Sequence, residues 1–150
     1  MRDAETIETA FTAAETGHLV FATLHTNTAV DTIDRIVSAF DASKHAQIRN
    51  QLAQTLKAVL CQQLLVRASG KGRIAACECM IVNSAIRNQI REGNTAAMSS
   101  SLVASKNIGS ISMDNHLIDL VRTGLITSKT AIEAAQRVDY VEQNVRMRMR

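Results

Sequence analysis

The chain has 150 residues, of which 46% are hydrophobic and 21% are charged, and its formal net charge at pH 7 is +3. This composition is typical of a globular protein and is enough for one core. No run approaches the roughly 20 apolar residues that cross a bilayer, and the acidic start "MRDAETIETA" is unlike a secretory signal, so we expect a cytosolic protein. One tyrosine and no tryptophan argue against an aromatic platform for single-stranded nucleic acid.

The first predicted element is an amphipathic helix over residues 3–16, which Asp3 can cap and Gly17 can end. The next stretch, "HLVFATL", is apolar on both faces, which is typical of a covered strand in the parallel sheet of an α/β protein. His18 and His25 stand at its two ends, on opposite faces of a continuous strand, and therefore cannot share a metal ion. In open parallel sheets ligands bind at the carboxyl ends of strands, so His25 is either a ligand-facing or a structural histidine.

Thr28, with Asp31 three residues later, predicts the start of a helix, and a second helix is predicted over residues 43–59. The runs "CQQLLVRA" and "RIAACECMIV" flank "SGKG" and predict a β-hairpin. The three cysteines, Cys61, Cys77 and Cys79, form neither a disulfide framework nor a CxxC pair, so we expect reduced thiols.

From Ser84 onward the sequence predicts helices, one of them stopped by Gly93 and the last two joined by a turn at Gly124. The last pair, "NHLIDLVRTGLITSKTAIEAA", with the basic end of the chain, is compatible with a DNA-binding helix-turn-helix or with a plain helical hairpin. The second helix of the pair offers Lys129, Gln136 and Arg137 but also carries Glu133, which is a poor set for reading bases.

The residues alone do not make an ATPase. The phosphate-binding pattern G-x-x-x-x-G-K-[ST] is absent, and the only Gly-Lys pair, Gly70 and Lys71, lies in the predicted hairpin turn. No apolar strand ends in a carboxylate that could serve as a Walker B residue.

Two stretches nevertheless resemble a known family. "MRDAETIETAFTAAETGHLVFATLHTNTAVDTIDRI" resembles the end of Walker B and the histidine box of the type II/type IV secretion ATPases. "AIRNQIRE" is similar to the AIRNLIRE motif of the PilT branch, the pilus-retraction motors. The resemblance extends from Met1 to about Arg137, and the second motif is its specific part. The chain has Gln89 where the motif has leucine, and Cys77 where a histidine is common before Glu78.

The resemblance implies an α/β fold: the C-terminal half of a RecA-like P-loop NTPase core, followed by a small helical C-terminal subdomain. Residues 1–82 would be the partial core, residues 83–140 the helical subdomain and residues 141–150 a basic tail. It also implies that the Walker B glutamate stands just before Met1 and the Walker A loop further upstream. We therefore expect this chain alone to be catalytically inactive.

The resemblance implies residue roles as well. His25 would be the histidine-box residue near the γ-phosphate, with His18 as its partner, and Thr23, Thr26, Arg2 and Arg35 would serve nucleotide sensing or the subunit interface. Arg35 fits a solvated helix position equally well. The retraction motif would comprise Ala85, Ile86, Arg87, Asn88, Ile90, Arg91 and Glu92, although an ordinary exposed helix face explains their spacing too. No metal ligand is predicted within the chain.

The implied whole protein is a cytoplasmic homohexamer, peripheral to the inner membrane, that hydrolyses ATP with Mg²⁺ and drives pilus disassembly in contact with an inner-membrane platform protein. It would need neither nucleic acid nor a transmembrane segment. The alternatives are an ATPase of type II secretion or pilus assembly, and a non-catalytic interaction or assembly module.

Overall fold

A computed structural model describes residues 3–146. Arg2 and residues 147–150 of the predicted tail lie outside this range. The helices are α1 (Ala4–Glu15), α2 (Ala29–Val37), α3 (His45–Thr55), α4 (Ser84–Glu92), α5 (Thr95–Ala104), α6 (Met113–Arg122), α7 (Ser128–Ala134) and α8 (Val138–Arg146). The strands are β1 (Ala58–Val66) and β2 (Arg73–Ile81), and short 3₁₀ turns cover Ala42–Lys44 and Ser105–Ile108. Within residues 3–146 no helix combines the length and the apolar character that crossing a membrane requires.

Both ends of α1 and the start of α2 form where the sequence predicts them. The Asp3 carboxylate accepts a hydrogen bond from the N–H of Thr6 at 2.8 Å, and the Thr28 hydroxyl accepts one from the N–H of Asp31 at 2.9 Å. These bonds satisfy amide groups that have no partner within a helix. Gly17 follows α1 with φ of +93°, a backbone conformation that glycine adopts without a steric cost.

The predicted parallel strand over residues 18–24 is wrong for this structure. Residues 18–26 have no regular secondary structure, and Leu19 and Phe21 are 79% and 89% exposed. A strand requires a neighbour to satisfy its backbone, and within residues 3–146 the two strands of the sheet bond to each other. The apolar pattern therefore indicates a β-preference that this part of the chain does not fulfil.

The hairpin is antiparallel, as predicted, with Ala58 opposite Ile81 at one end and Val66 opposite Arg73 at the other. Strand β1 begins three residues earlier than "CQQLLVRA", and α3 ends at Thr55 instead of reaching residue 59. The reason is cross-strand pairing, since Ala58 to Leu60 bond with Cys79 to Ile81 and cannot also belong to a helix.

Two hydrophobic clusters hold these elements together. The first contains residues from each of the helices α1, α2, α3, α4 and α5, and it includes Met80 of β2 together with Ile86 and Ile90 of α4. The second contains residues from each of the helices α6, α7 and α8, and it includes Ala76 of β2. The predicted boundary between residues 82 and 83 does not coincide with the division between the clusters, because α4 packs with the first one.

The predicted tail is partly structured. Residues 141–146 belong to α8, in which Val141 and Val145 are buried in the second cluster. These two valines are four residues apart and lie on one face of the helix. Sequence reasoning described this segment by its basic residues and did not identify the apolar pair Val141 and Val145.

Gly93 is expected to tolerate alanine less well than Gly124 does. Both have positive φ, +68° and +71°, but a Cβ on Gly93 would lie 3.0 Å from the Arg49 guanidinium carbon, whereas the space beside Gly124 is open. Gly124→Ala should lower the free energy of unfolding by about 1 kcal/mol and Gly93→Ala by about 2 kcal/mol, because only the second must also displace Arg49. Urea unfolding of both variants measures the difference; equal losses would mean that Arg49 moves aside freely.

Candidate functional site

The segment that follows residues 18–24 forms an open depression with the exposed face of α2. Its walls are formed by His25, Thr26, Asn27, Asp31, Asp34, Arg35 and Ser38. The structure thus brings together three of the predicted nucleotide-site residues, His25, Thr26 and Arg35.

Thr26 is tied to the first turn of α2. Its hydroxyl oxygen lies 2.7 Å from that of Thr32, and the Thr32 hydroxyl donates to the carbonyl of Thr28 at 2.9 Å. Because the Thr32 proton is directed at Thr28, Thr26 must donate to Thr32. A displacement of Thr26 would therefore be felt at the amino-terminal end of α2.

His18 and Thr23 are not among the residues that line the depression. His18 is exposed, and its Nδ1 lies 3.2 Å from the Thr16 hydroxyl just beyond α1. Thr23 is also exposed, in the irregular segment before His25. Their predicted roles beside His25 stay predictions.

Sequence reasoning overlooked two carboxylates in the depression, Asp31 and Asp34. Desolvation raises the pKa of the Asp34 carboxyl, the nearby Asp31 carboxylate raises it further, and the Arg49 guanidinium opposes both effects. The spacing of Asp31, Asp34, Arg35 and Ser38 places them on adjoining faces of one helix, which is the signal that could have revealed them. A phosphate entering here would meet Arg35 but also two acidic groups.

The raised pKa of Asp34 gives a pH-dependent expectation. A carboxyl that binds its proton more tightly in the folded protein makes folding less favourable as pH rises through its pKa. Asp34→Asn should therefore raise the melting temperature at pH 7 but not at pH 3, with a gain below about 0.5 kcal/mol because solvent screens an exposed side chain. Thermal unfolding across this pH range tests it, with the exposed Asp41→Asn as control; a gain that is independent of pH would contradict the assignment.

Helix α4 separates the predicted retraction motif into a buried and an exposed side. Ile86 and Ile90 are completely buried, and the half-buried Gln89 donates its amide to the Ser101 hydroxyl of α5 at 2.7 Å. The three residues therefore share one face of α4. The exposed members are Ala85, Asn88, Arg91 and Glu92.

Two of the polar groups on α4 carry further information. Arg91 donates to the Asn88 side-chain oxygen at 2.6 Å, so these two residues present one joined polar surface. Arg87 is half-buried, and its Nε has no hydrogen-bond partner among residues 3–146. A buried donor without a partner is costly, so Arg87 lowers the stability of the helix's surroundings.

The structure weakens the helix-turn-helix alternative. Helix α7 ends at Ala134, so Gln136 and Arg137 lie beyond it. Arg137 donates from Nε to the buried Asp114 carboxylate at 3.0 Å, and Lys129 lies 3.9 Å from Glu133. The polar groups considered for base readout are therefore not gathered on one exposed helix.

The described residues do not by themselves fit a magnesium site. Within residues 3–146 no group of three or more histidine, cysteine, aspartate or glutamate side chains could hold a metal ion.

All three cysteines are unpaired, as predicted, and burial raises the pKa values of the Cys61 and Cys79 thiols, which disfavours the reactive thiolate.

Comparison with known proteins gives a consistent result. The profile of the type II/IV secretion system protein family matches residues 1–148. The chain is 48% identical over 136 residues to the twitching motility protein of Neisseria gonorrhoeae. The matched stretch covers 91% of the chain and 36% of that protein. The chain is equally identical over the same length to the type IV pilus retraction ATPase PilT of Pseudomonas aeruginosa, of which it covers 39%.

Among solved structures, the pilus retraction motor PilT with bound ADP superimposes with a TM-score of 0.84 at 45% identity, covering 95% of the chain and 40% of that structure. The α/β fold class of a secretion ATPase is thereby confirmed. The chain spans between about a third and two fifths of the length of these relatives. It belongs to the type II/IV secretion system protein family, in which it is of the PilT type.

Proposed function

We propose that this chain is the C-terminal, nucleotide-sensing portion of a PilT-type pilus-retraction motor. The observation that carries the proposal is the 48% identity, over 91% of the chain, to two proteins named for twitching motility and pilus retraction. The whole motor would be a homohexamer that hydrolyses ATP with Mg²⁺. It would act at the cytoplasmic face of the inner membrane, beside a platform protein, to drive pilus disassembly.

The depression beside α2 would report the state of the nucleotide. His25 would face the γ-phosphate, and Thr26 would pass its displacement to α2 through the hydroxyl of Thr32, 2.7 Å away. Arg35, which also lines the depression, would supply the positive charge that offsets Asp31 and Asp34. His18, Thr23 and Arg2 would complete the sensing region or the subunit interface.

The exposed side of α4 would be the retraction-specific surface. Asn88, Arg91 and Glu92 are exposed, while Ile86 and Ile90 anchor the helix in the first hydrophobic cluster. Polar side chains on a rigidly anchored helix lose little freedom on binding, which favours recognition of a partner.

Catalysis would require the rest of the motor. Phosphoryl transfer depends on groups that hold the phosphates, the magnesium ion and the attacking water, and residues 3–146 provide no metal-binding cluster. We propose that the upstream portion of the parent protein supplies these groups, and that this chain alone is inactive.

The test is ATP turnover by the purified 150-residue chain, alone and mixed with a separately expressed N-terminal portion that ends in the Walker B glutamate. We expect no turnover by the chain alone and turnover in the mixture. His25→Ala should reduce turnover in the mixture by a factor on the order of 100, as expected for a lost contact to a transferring phosphate. Lys71→Ala, in the exposed hairpin turn, should leave it unchanged.

Turnover by the chain alone would overturn the proposal, because it would require a phosphate site within these residues. Silence of both preparations would favour the second candidate, a non-catalytic interaction module. The exposed apolar side chains of Leu19 and Phe21 favour that candidate, since such side chains mark contact surfaces.

A further inference from the structure

Glu78 is a buried carboxylate on β2 that meets the amino-terminal ends of two helices. Only 3% of the residue is exposed. Its Oε1 accepts from the N–H of Ala29 at 2.7 Å, and its Oε2 accepts from the N–H of Met113 at 3.3 Å. Ala29 is the first residue of α2 and Met113 is the first residue of α6.

This arrangement suits the electrostatics of helix ends. The first amide groups of a helix lack partners within it and carry partial positive charge, so a carboxylate there is stabilising. Thr28 and Ser112 cap the third residues of α2 and α6 with their hydroxyl groups. Glu78 satisfies the first amide of each helix, which those caps do not reach.

Hydrogen bonds extend from Glu78 in both directions. On one side, the Ala29 N–H and the Thr28 carbonyl belong to the same peptide group, and that carbonyl accepts from Thr32, which is bonded to Thr26 in the candidate site. On the other side the side-chain amide of Gln136, between α7 and α8, donates to the same Oε2 that receives Met113, at 3.4 Å. One carboxylate therefore connects the His25 segment with α6 and with the link between α7 and α8.

We propose that Glu78 is a positioning residue that couples the segment carrying His25 and Thr26 to helices α6–α8. Its two oxygens belong to one planar group, so a shift of α2 that rotates the carboxylate also changes the bonds to Met113 and Gln136. The coupling itself does not depend on the proposed function; only the identity of what the segment senses, the nucleotide, rests on it. It deepens that function by naming the route from the sensing segment to the C-terminal helices.

The test uses amide NMR of the full 150-residue chain without nucleotide. Gln136→Ala removes one donor at Oε2, and it should shift the Ala29 amide resonance across the carboxylate. Gln143→Ala, an exposed glutamine on α8, is the matched control and should leave that resonance unchanged. In the Glu78→Gln background, Gln136→Ala should no longer affect Ala29.

Glu78→Gln alone should accelerate hydrogen exchange at both Ala29 and Met113 by about tenfold, as expected for the loss of a hydrogen bond to a charged group. The coupling would be overturned if Gln136→Ala left the Ala29 amide resonance unchanged. It would also be overturned if Gln136→Ala shifted that resonance equally in the Glu78→Gln background. If Glu78→Gln fails to fold, the Gln136→Ala and Gln143→Ala pair still decides the question. Because no nucleotide is present, a failed ATPase assay would leave this result standing, and the reverse also holds.

Discussion

Replacing Asp114 with alanine is expected to lower the free energy of unfolding by about 3 kcal/mol. Asp114 lies in the first turn of α6 and is 1% exposed. Its Oδ1 accepts from the N–H groups of Gln136 and Arg137 at 2.9 and 3.4 Å, and its Oδ2 accepts from Arg137 Nε at 3.0 Å. Most of the loss comes from the two backbone amides, because the Arg137 side chain is 55% exposed and can return to water.

Urea unfolding measures this loss, and Asp119→Ala is the matched control on the same helix. Asp119 pairs with Arg122 at 3.2 Å, and the two side chains are 49% and 43% exposed, so its loss should be below about 0.5 kcal/mol. Tyr140, the only tyrosine, lies on α8 and donates to Asn115 at 3.0 Å, so its near-ultraviolet signal reports the docking of α8. Equal losses for the two aspartates would show that Asp114 does not hold α8.

Ile90→Ala is expected to lower the free energy of unfolding by about 3 kcal/mol as well, through loss of burial and creation of a cavity. Ile90 is completely buried in the first cluster, on the inner side of the AIRNQIRE helix. Ile90→Val removes one methylene group and should cost about 1 kcal/mol. Thermal or urea unfolding of the pair tests whether this side of the motif serves packing.

The exposed residues of the same helix provide the contrast. Asn88→Ala and Glu92→Ala should change the free energy of unfolding by less than about 0.5 kcal/mol, because both side chains are exposed. A loss of pilus retraction with these two variants, at unchanged stability, would support their proposed contact role. A stability loss comparable to that of Ile90→Ala would instead assign them to the core.

The sequence predicted those elements whose signals are local. Asp3, Thr28 and Gly93 set helix ends through their own side chain or backbone conformation, and the hairpin follows from the glycines of its turn. The strand over residues 18–24 could not be predicted in this way. An apolar run shows that a segment prefers to be covered, whereas strand formation also depends on a hydrogen-bonding neighbour far away in the sequence.

The candidate site was predicted in part. His25, Thr26 and Arg35 do line one depression, but Asp31 was interpreted only as part of a helix start, and Asp34 looked like an ordinary solvated position of an amphipathic helix. The buried role of Glu78 had a signal, since it alternates with Ala76 and Met80 on the inner face of β2. Asp114 gave none, because a first-turn aspartate is common at exposed helix ends as well.

Strand β2 contributes residues to both hydrophobic clusters, and this affects how the protein unfolds. Ala76 packs in the second cluster and Met80 in the first, only four residues along the same strand. Loss of either cluster would free the strand and expose apolar surface belonging to the other. The two clusters therefore share one cooperative unit, so neither should survive as a protease-resistant piece after the other has melted.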